Sequence, residues 1–249
     1  TCALPICYRA RFGMGLVMNT NFSYGKLASL STLGRQTSQL TGHTSRMDGI
    51  YLQGGAATVS VTKHTDVSAF VSYRTIDATL TDDDAAIVTR LTSGYHRTES
   101  EMHRKHNASQ WAAGGNLTWR DHGFTLGLTG VYTQFSKPLQ PNTNLLYHKY
   151  SPAGKSFWNI GAHYGYLRGA WSFSGETATG DSHAWATINT LSYELSSRLS
   201  LMALQRFYSY RFYSIYGQSY GDASSLQNES GIYIGAEWKP LNGLVLTGY

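Results

Sequence analysis

Cysteine is almost absent from this chain. Its 2 cysteines both lie in the opening run Thr1-Cys2-Ala3-Leu4-Pro5-Ile6-Cys7. From residue 8 onward no disulfide, thiol nucleophile or thiolate-bound metal can be built. Charge is scarce as well: Asp, Glu, Lys and Arg make up 14% of the 249 residues, where a soluble domain carries about 25%. No run approaches the roughly 18 consecutive apolar residues of a membrane-spanning helix, which excludes a helical span. Proline occurs only 5 times, and Pro138, Pro141 and Pro152 share one segment, so long stretches are free to pair as strands. The formal charge of +5 suits an acidic partner such as nucleic acid or lipopolysaccharide, but so small a margin over the whole chain is a weak signal.

What the chain does contain is alternation. Trp158, Ile160, Ala162, Tyr164 and Tyr166 share one parity against Asn159, Gly161, His163 and Gly165. Trp171 and Phe173 alternate with Ser172, Ser174 and Glu176; Ala184, Ala186 and Ile188 with Thr187 and Asn189; Leu199, Leu201, Ala203 and Phe207 with Ser200 and Arg206. Successive side chains of a strand face opposite sides, so these runs predict antiparallel strands with one apolar and one polar face. At about ten residues each they have the length that crosses a bilayer when tilted. Similar runs start at Tyr8, Ile50, Asp66, Trp111, Phe124, Ile232 and Gly243.

The connections alternate in length. Thr62 to Thr65, Asp121 to Gly123, Leu167 to Gly169, Glu194 to Arg198 and Pro240 to Gly243 are short, whereas 75–110, 136–155 and 209–228 are long and 179–182 is moderate. Outer-membrane barrels have short periplasmic turns and longer outer loops. The expected fold is therefore all-β: an antiparallel up-and-down transmembrane β-barrel, with about eleven strands visible and incomplete at both ends. A short helix is expected at 26–33. Aromatics such as Trp111, Trp119, Trp158, Trp171, Trp185 and Trp238 fall near strand ends, as interfacial girdles do.

Thr-Cys-Ala-Leu-Pro-Ile looks like a translated sequencing adapter. Residues 1–7 are therefore read as a non-native scar that fits no strand, and 8–249 as one β-barrel domain. The run Gly243 to Tyr249 opens a strand and stops partway, so the chain reads as a fragment.

No catalytic residue, cofactor or metal site is expected. His103 and His106 lie near Glu99 and Glu101, and His96 and His148 are in loops too, but this polar, cation-rich segment reads as a solvated loop rather than a metal centre. Asp82-Asp83-Asp84 reads as an exposed acidic turn, and spacing alone assembles no Ser-His-acid set. The wet wall positions Arg74, Arg120, Asn159, His163, Glu176, Asn189, Arg206 and Glu237 are the lumen-facing candidates, where charges are tolerated and tune passage. The rival reading is a lumen packed by hydrogen-bonded polar groups with no conduction.

Tyr8-Arg9-Ala10-Arg11-Phe12-Gly13-Met14-Gly15-Leu16-Val17, Phe22-Ser23-Tyr24-Gly25-Lys26, Ser93-Gly94-Tyr95-His96-Arg97-Thr98-Glu99-Ser100-Glu101 and Gln227-Asn228-Glu229-Ser230-Gly231-Ile232-Tyr233-Ile234-Gly235 resemble the C-terminal region of large helix-hairpin-helix domain-containing proteins of Gram-negative bacteria. The resemblance runs over nearly all of 8–249. It implies a secreted protein whose helix-hairpin-helix segments, similar to those of competence DNA-binding proteins, precede this β-rich region. No residue here matches a helix-hairpin-helix motif, so any link to DNA handling belongs to the full-length protein. The function expected is a non-enzymatic outer-membrane channel, uptake component or envelope scaffold, in contact with outer-membrane lipid. The alternatives are a barrel enzyme of lipase or protease type and a soluble β-rich binding protein.

Overall fold

The computed structural model describes residues 2–21, 38–43, 51–144, 148–223, 225–241 and 243–248, with the backbone alone for 2–6. The helix expected at 26–33 lies outside the described residues. The fold is all-β. In chain order the strands are β1 (Cys2–Arg11), β2 (Gln39–Gly42), β3 (Leu52–Ser60), β4 (Thr65–Leu80), β5 (Ile87–Leu91), β6 (Ala108–Asp121), β7 (Phe124–Leu139), β8 (Gly154–Arg168), β9 (Trp171–Gly180), β10 (Ala186–Ser196), β11 (Leu199–Tyr208), β12 (Glu229–Leu241) and β13 (Leu244–Gly248). Among the described residues one short helix, α1 (Glu99–His103), sits between β5 and β6.

All these strands join one sheet, 13-stranded among the described residues. From β6 to β13 each strand pairs antiparallel with the next. On the other side β6 lies beside β4, β4 beside β3, β3 beside β1 and β1 beside β2. β5 takes over the edge of β4 where β6 ends: Ile76 faces Ala108, and Asp77 faces Leu91. No ladder joins β13 to β1 or β2 among the described residues. The short connections gather at one end of the sheet. His122 and Gly123, with φ of 46° and 86°, form a two-residue hairpin loop whose paired positive φ values match the twist of the flanking strands.

Four expectations need correction. β1 includes residues 2–7, with Cys2 opposite Thr58 and Cys7 opposite Gln53; a ladder is made by backbone groups, so a run without alternation can still pair. β1 then ends at Arg11 instead of continuing to Phe22, because Gly13 and Gly15 take positive φ values of 57° and 90° that leave the strand region. The segment expected as a loop from 75 to 110 contains the end of β4, the short β5 and α1, and with β2 these account for the strands beyond the eleven expected runs. Finally, β10 faces the other way from expectation: Ile188 pairs with Glu176 and points inward, fully buried, while Asn189 points outward.

Elsewhere the parity is as the alternation predicts, and its burial is inverted relative to a water-soluble sandwich. Apolar residues of the outer face are exposed, among them Leu117, Leu126, Leu128, Ile160, Leu201, Ile232 and Ile234. All 6 tryptophans are exposed. Polar residues of the inner face are buried, among them Ser72, Thr118, Asn116, Thr129, Thr133, Glu176 and Arg206.

Candidate functional site

The inner face is not empty. After β1 the chain turns into the concavity, where Phe12, Leu16, Val17 and Met18 have no exposed surface. The turn is closed by the Phe12 amide donating to the Met18 carbonyl at 3.0 Å and the Gly15 amide donating to the Phe12 carbonyl at 3.2 Å. The wall grips it through one side chain. The buried carboxylate of Glu176 on β9 accepts the backbone N–H groups of Met14 (2.6 Å), Leu16 (3.2 Å) and Val17 (3.3 Å). Converging amides make a cradle for negative charge, and here the carboxylate comes from the wall. The guanidinium of Arg11, also buried, lies within electrostatic reach of Glu176.

A second inward segment, the connection after β11, packs on the first. The Asn19 amide donates to the Tyr216 carbonyl (2.9 Å) and the Gln218 amide to the Gly15 carbonyl (2.8 Å), and Met18 and Tyr216 form a parallel bridge. Ser214 donates to the Val17 carbonyl (3.0 Å) and Ser219 to the Met14 carbonyl (2.8 Å). The wall holds this segment too: Asn159 donates to the Tyr213 carbonyl at 2.8 Å, and Tyr208 to the Tyr220 carbonyl at 2.6 Å. The run Gly217-Gln218-Ser219-Tyr220-Gly221 has the Gly-x-Ser-x-Gly spacing of a nucleophile elbow. It does not sit between a strand and a helix, and its serine hydroxyl is spent on Met14.

Arg206 anchors the far end of the same segment. It is 3% exposed, pairs with Asp222 and, at 3.1 Å, with Glu229, and lies over the rings of Tyr220 and Tyr233 at 5.2 and 5.0 Å. Burying a guanidinium is tolerable because both carboxylates and both ring faces meet it.

The remaining candidates scatter. His163 is paired across the ladder with Glu176, and its Nε2 lies 3.4 Å from the Thr118 hydroxyl. Arg120 pairs with Asp66 at 2.6 Å. Arg74 donates to the Tyr51 carbonyl at 2.8 Å and stacks on that ring at 4.5 Å. Glu237 pairs with Lys239 at 2.9 Å near the short-turn end. Asn189, on the outer face, accepts from the Tyr164 hydroxyl and donates to Gln205, both at 2.8 Å. Thus Glu176, Asn159 and Arg206 hold the inward segments, whereas Glu237 and Asn189 do not touch them.

Two cavities flank the inward segments. One of about 400 Å³ at the short-turn end is lined by Gly13, Met14, Thr118, Arg120 and His163. The other, about 280 Å³ at the long-loop end, is lined by Thr20, Arg74, Arg90, Gln110 and Tyr216 among others. Arg90, Tyr216, Asp222 and Glu229 were not singled out from sequence, since each falls outside an alternating run or at its very end; Arg11 lies inside the run expected to continue to Phe22, whose glycines blur its alternation. The pair of glycines flanking Met14 was the available signal for the inward turn.

In the long-loop region Asp77 accepts from the His106 amide at 2.8 Å and lies 2.6 Å from His96 Nε2. α1 starts at Thr98, whose hydroxyl accepts the Glu101 amide while the Glu101 carboxylate accepts the Thr98 amide, a reciprocal cap. Among the described residues no group of three or more His, Cys, Asp or Glu side chains could hold a metal ion.

No family model matches this chain, and no curated protein matches it. Among solved structures, a variant of the ferric enterobactin receptor of Pseudomonas aeruginosa is similar over 79% of this chain and 34% of that receptor, with 11% identity and a TM-score of 0.45. The aligned part is thus about a third of the receptor's own length, and a likeness of this degree carries no argument about function.

Proposed function

We propose that this chain forms the wall of a transmembrane β-barrel of the bacterial outer membrane, with a lumen closed at rest by two of its own segments, and that it serves as a gated uptake component without catalytic activity. One observation carries the membrane assignment: the apolar parity of the strands is exposed and the polar parity buried. In water, exposing Leu117, Leu126, Leu128, Ile160, Ile232, Ile234 and six tryptophans on one continuous face would be unfavourable, since monomeric soluble proteins rarely show apolar patches beyond a few hundred Å². In lipid the same face is the solvated one. Strand length agrees. A 14-residue strand such as β6 is about 48 Å long at about 3.4 Å per residue, which gives about 34 Å of height at a 45° tilt and covers a hydrocarbon core of about 30 Å.

The closed lumen favours gating over open conduction. Residues 12–19 and 209–220 are bonded to the wall and to each other through Glu176, Asn159 and Tyr208, so a solute would have to displace them. A role in DNA handling belongs to the full-length protein and rests on the sequence resemblance alone.

The test is to express the full-length gene behind its own signal, fractionate envelopes on a sucrose gradient, and compare heated and unheated gel mobility. Recovery with outer membranes and a heat-dependent shift is expected. Recovery in the soluble periplasm would overturn the membrane assignment. Steady, high conductance of the purified protein in planar bilayers would overturn the closed lumen.

A further inference from the structure

The cavity at the short-turn end is walled largely by hydroxyls. Thr118 and Arg120 reach it from β6, Thr125 from β7, His163 from β8, Ser172 from β9 and Ser192 from β10. Gly13 and Met14 of the first inward turn line it from within the lumen. Ladder pairing puts the wall residues on the inner parity: Arg120 faces Thr125, Thr125 faces Gly165, and Ser172 faces Ser192. Arg120 and Glu194 give the described lining one charge of each sign, and Arg120 is already matched by Asp66 at 2.6 Å.

One atom of this lining lacks a partner. His163 is 7% exposed, and its Nδ1 meets no hydrogen-bond partner among the described residues. The tautomer follows from the neighbours. Asn116 gives its amide protons to the Leu128 carbonyl at 3.2 Å and the Thr129 hydroxyl at 2.9 Å, and its Oδ1 accepts the Thr118 hydroxyl at 2.6 Å. With its proton used, Thr118 can only accept from His163 Nε2, 3.4 Å away. Nε2 therefore carries the ring proton, and Nδ1 is a bare acceptor. A buried acceptor without a donor is unfavourable, so a solute that supplies a hydroxyl there recovers the loss. The last torsion of a histidine is soft, and a small turn of the ring presents Nδ1 to the cavity.

A solute with several hydroxyls suits the rest of the wall as well. Serine and threonine hydroxyls both donate and accept, and so does every hydroxyl of a polyol, whereas a carboxylate has no proton to give Nδ1. The volume of about 400 Å³ has room for about thirteen waters at about 30 Å³ each, enough for one or two sugar rings. We propose that this cavity binds a neutral sugar or polyol, with His163 Nδ1 accepting one hydroxyl and Thr125, Ser172 and Ser192 bonding others. The bound solute lies against Gly13 and Met14, the turn that Glu176 holds. The inference deepens the uptake reading by naming its solute class and rests on that reading, but binding is measured apart from membrane location.

The experiment is titration calorimetry on the full-length protein in a detergent without a sugar headgroup, with glucose, maltose, succinate and triglycine as probes. Saturable binding of glucose or maltose, and none of succinate or triglycine, is expected. His163→Phe keeps a ring but has no acceptor and should weaken binding at least tenfold; Ser172→Ala removes one hydroxyl and should weaken it several-fold. Lys105→Gln at the long-loop end should leave it unchanged. Gly165→Val guards against misfolding. A Cβ on Gly165 would lie 3.4 Å from the nearest atom, the Phe173 carbonyl oxygen, so valine fills the cavity in ordinary contact: this variant should retain the heat-dependent gel shift and lose binding. Binding of succinate or triglycine in preference to the sugars, equal binding by wild type and the His163 and Gly165 variants, or no sugar binding by a protein that still fractionates with outer membranes would overturn the site and leave the membrane reading standing.

Discussion

The Glu176 carboxylate occupies the space that a side chain at Gly13 would need: a Cβ on Gly13 would lie 2.8 Å from Glu176 Oε2. The glycine also has a φ of 57°, so two independent reasons fix it. Gly13→Ala should cost about 1–3 kcal/mol through the strained backbone and push the turn off the carboxylate. Chemical denaturation of the detergent-solubilised protein gives the cost, and a wild-type midpoint would refute it.

Removing the acceptor should be more severe. Glu176→Ala strands three buried amides and leaves Arg11 without its opposite charge, a loss of about 3–5 kcal/mol. Met18, fully buried, is the reporter. With Cys2 and Cys7 changed to serine, Met18→Cys should resist maleimide labelling, and adding Glu176→Ala should make it reactive. Equal labelling of the two proteins would refute the grip.

Arg206 should not tolerate lysine. Its fork serves two carboxylates while its plane covers two rings, and an ammonium can do neither together. Arg206→Lys and Arg206→Ala are both expected to free residues 220–229 and cost about 3–5 kcal/mol, read as protease cleavage within that segment. A lysine variant as resistant as wild type would show that charge alone suffices.

An outer-face charge separates lipid from water. Ile160 is 46% exposed in the middle of β8. In a bilayer Ile160→Arg should cost about 2–4 kcal/mol and reduce outer-membrane recovery, whereas at an exposed site in water such a change stays within about 0.5 kcal/mol. Undiminished recovery would contradict a lipid-facing position.

The cap of α1 should respond to acid. Hydrogen bonds from the Arg97 backbone and side chain hold the Glu101 carboxyl below its ordinary value of 4.5. Its contribution is therefore present above pH 4.5 and is lost as the pH falls through the lower folded value. Hydrogen exchange at the Arg97 and Thr98 amides should quicken across that acid range, and Glu101→Gln should show no such step.

How far the sequence reaches is visible in particular residues. Trp158, Ile160 and Phe173 announced an outer face, and Arg206 and Glu176 an inner one, because a strand's period of two is written directly into residue order. Turn ends were equally legible, since His122-Gly123 needs only local backbone preference. What residue order alone did not determine depends on groups far apart in the chain. Glu176 could be placed on the inner face but not on the amides of Met14, Leu16 and Val17, which lie some 160 positions away. Asn189 and Ile188 defied their own polarity because neighbours on β9 and β11 set the register. Arg90 comes to line one cavity with Tyr216 only through the tertiary structure. Local alternation determined the wall of this protein, and long-range packing decided what fills it.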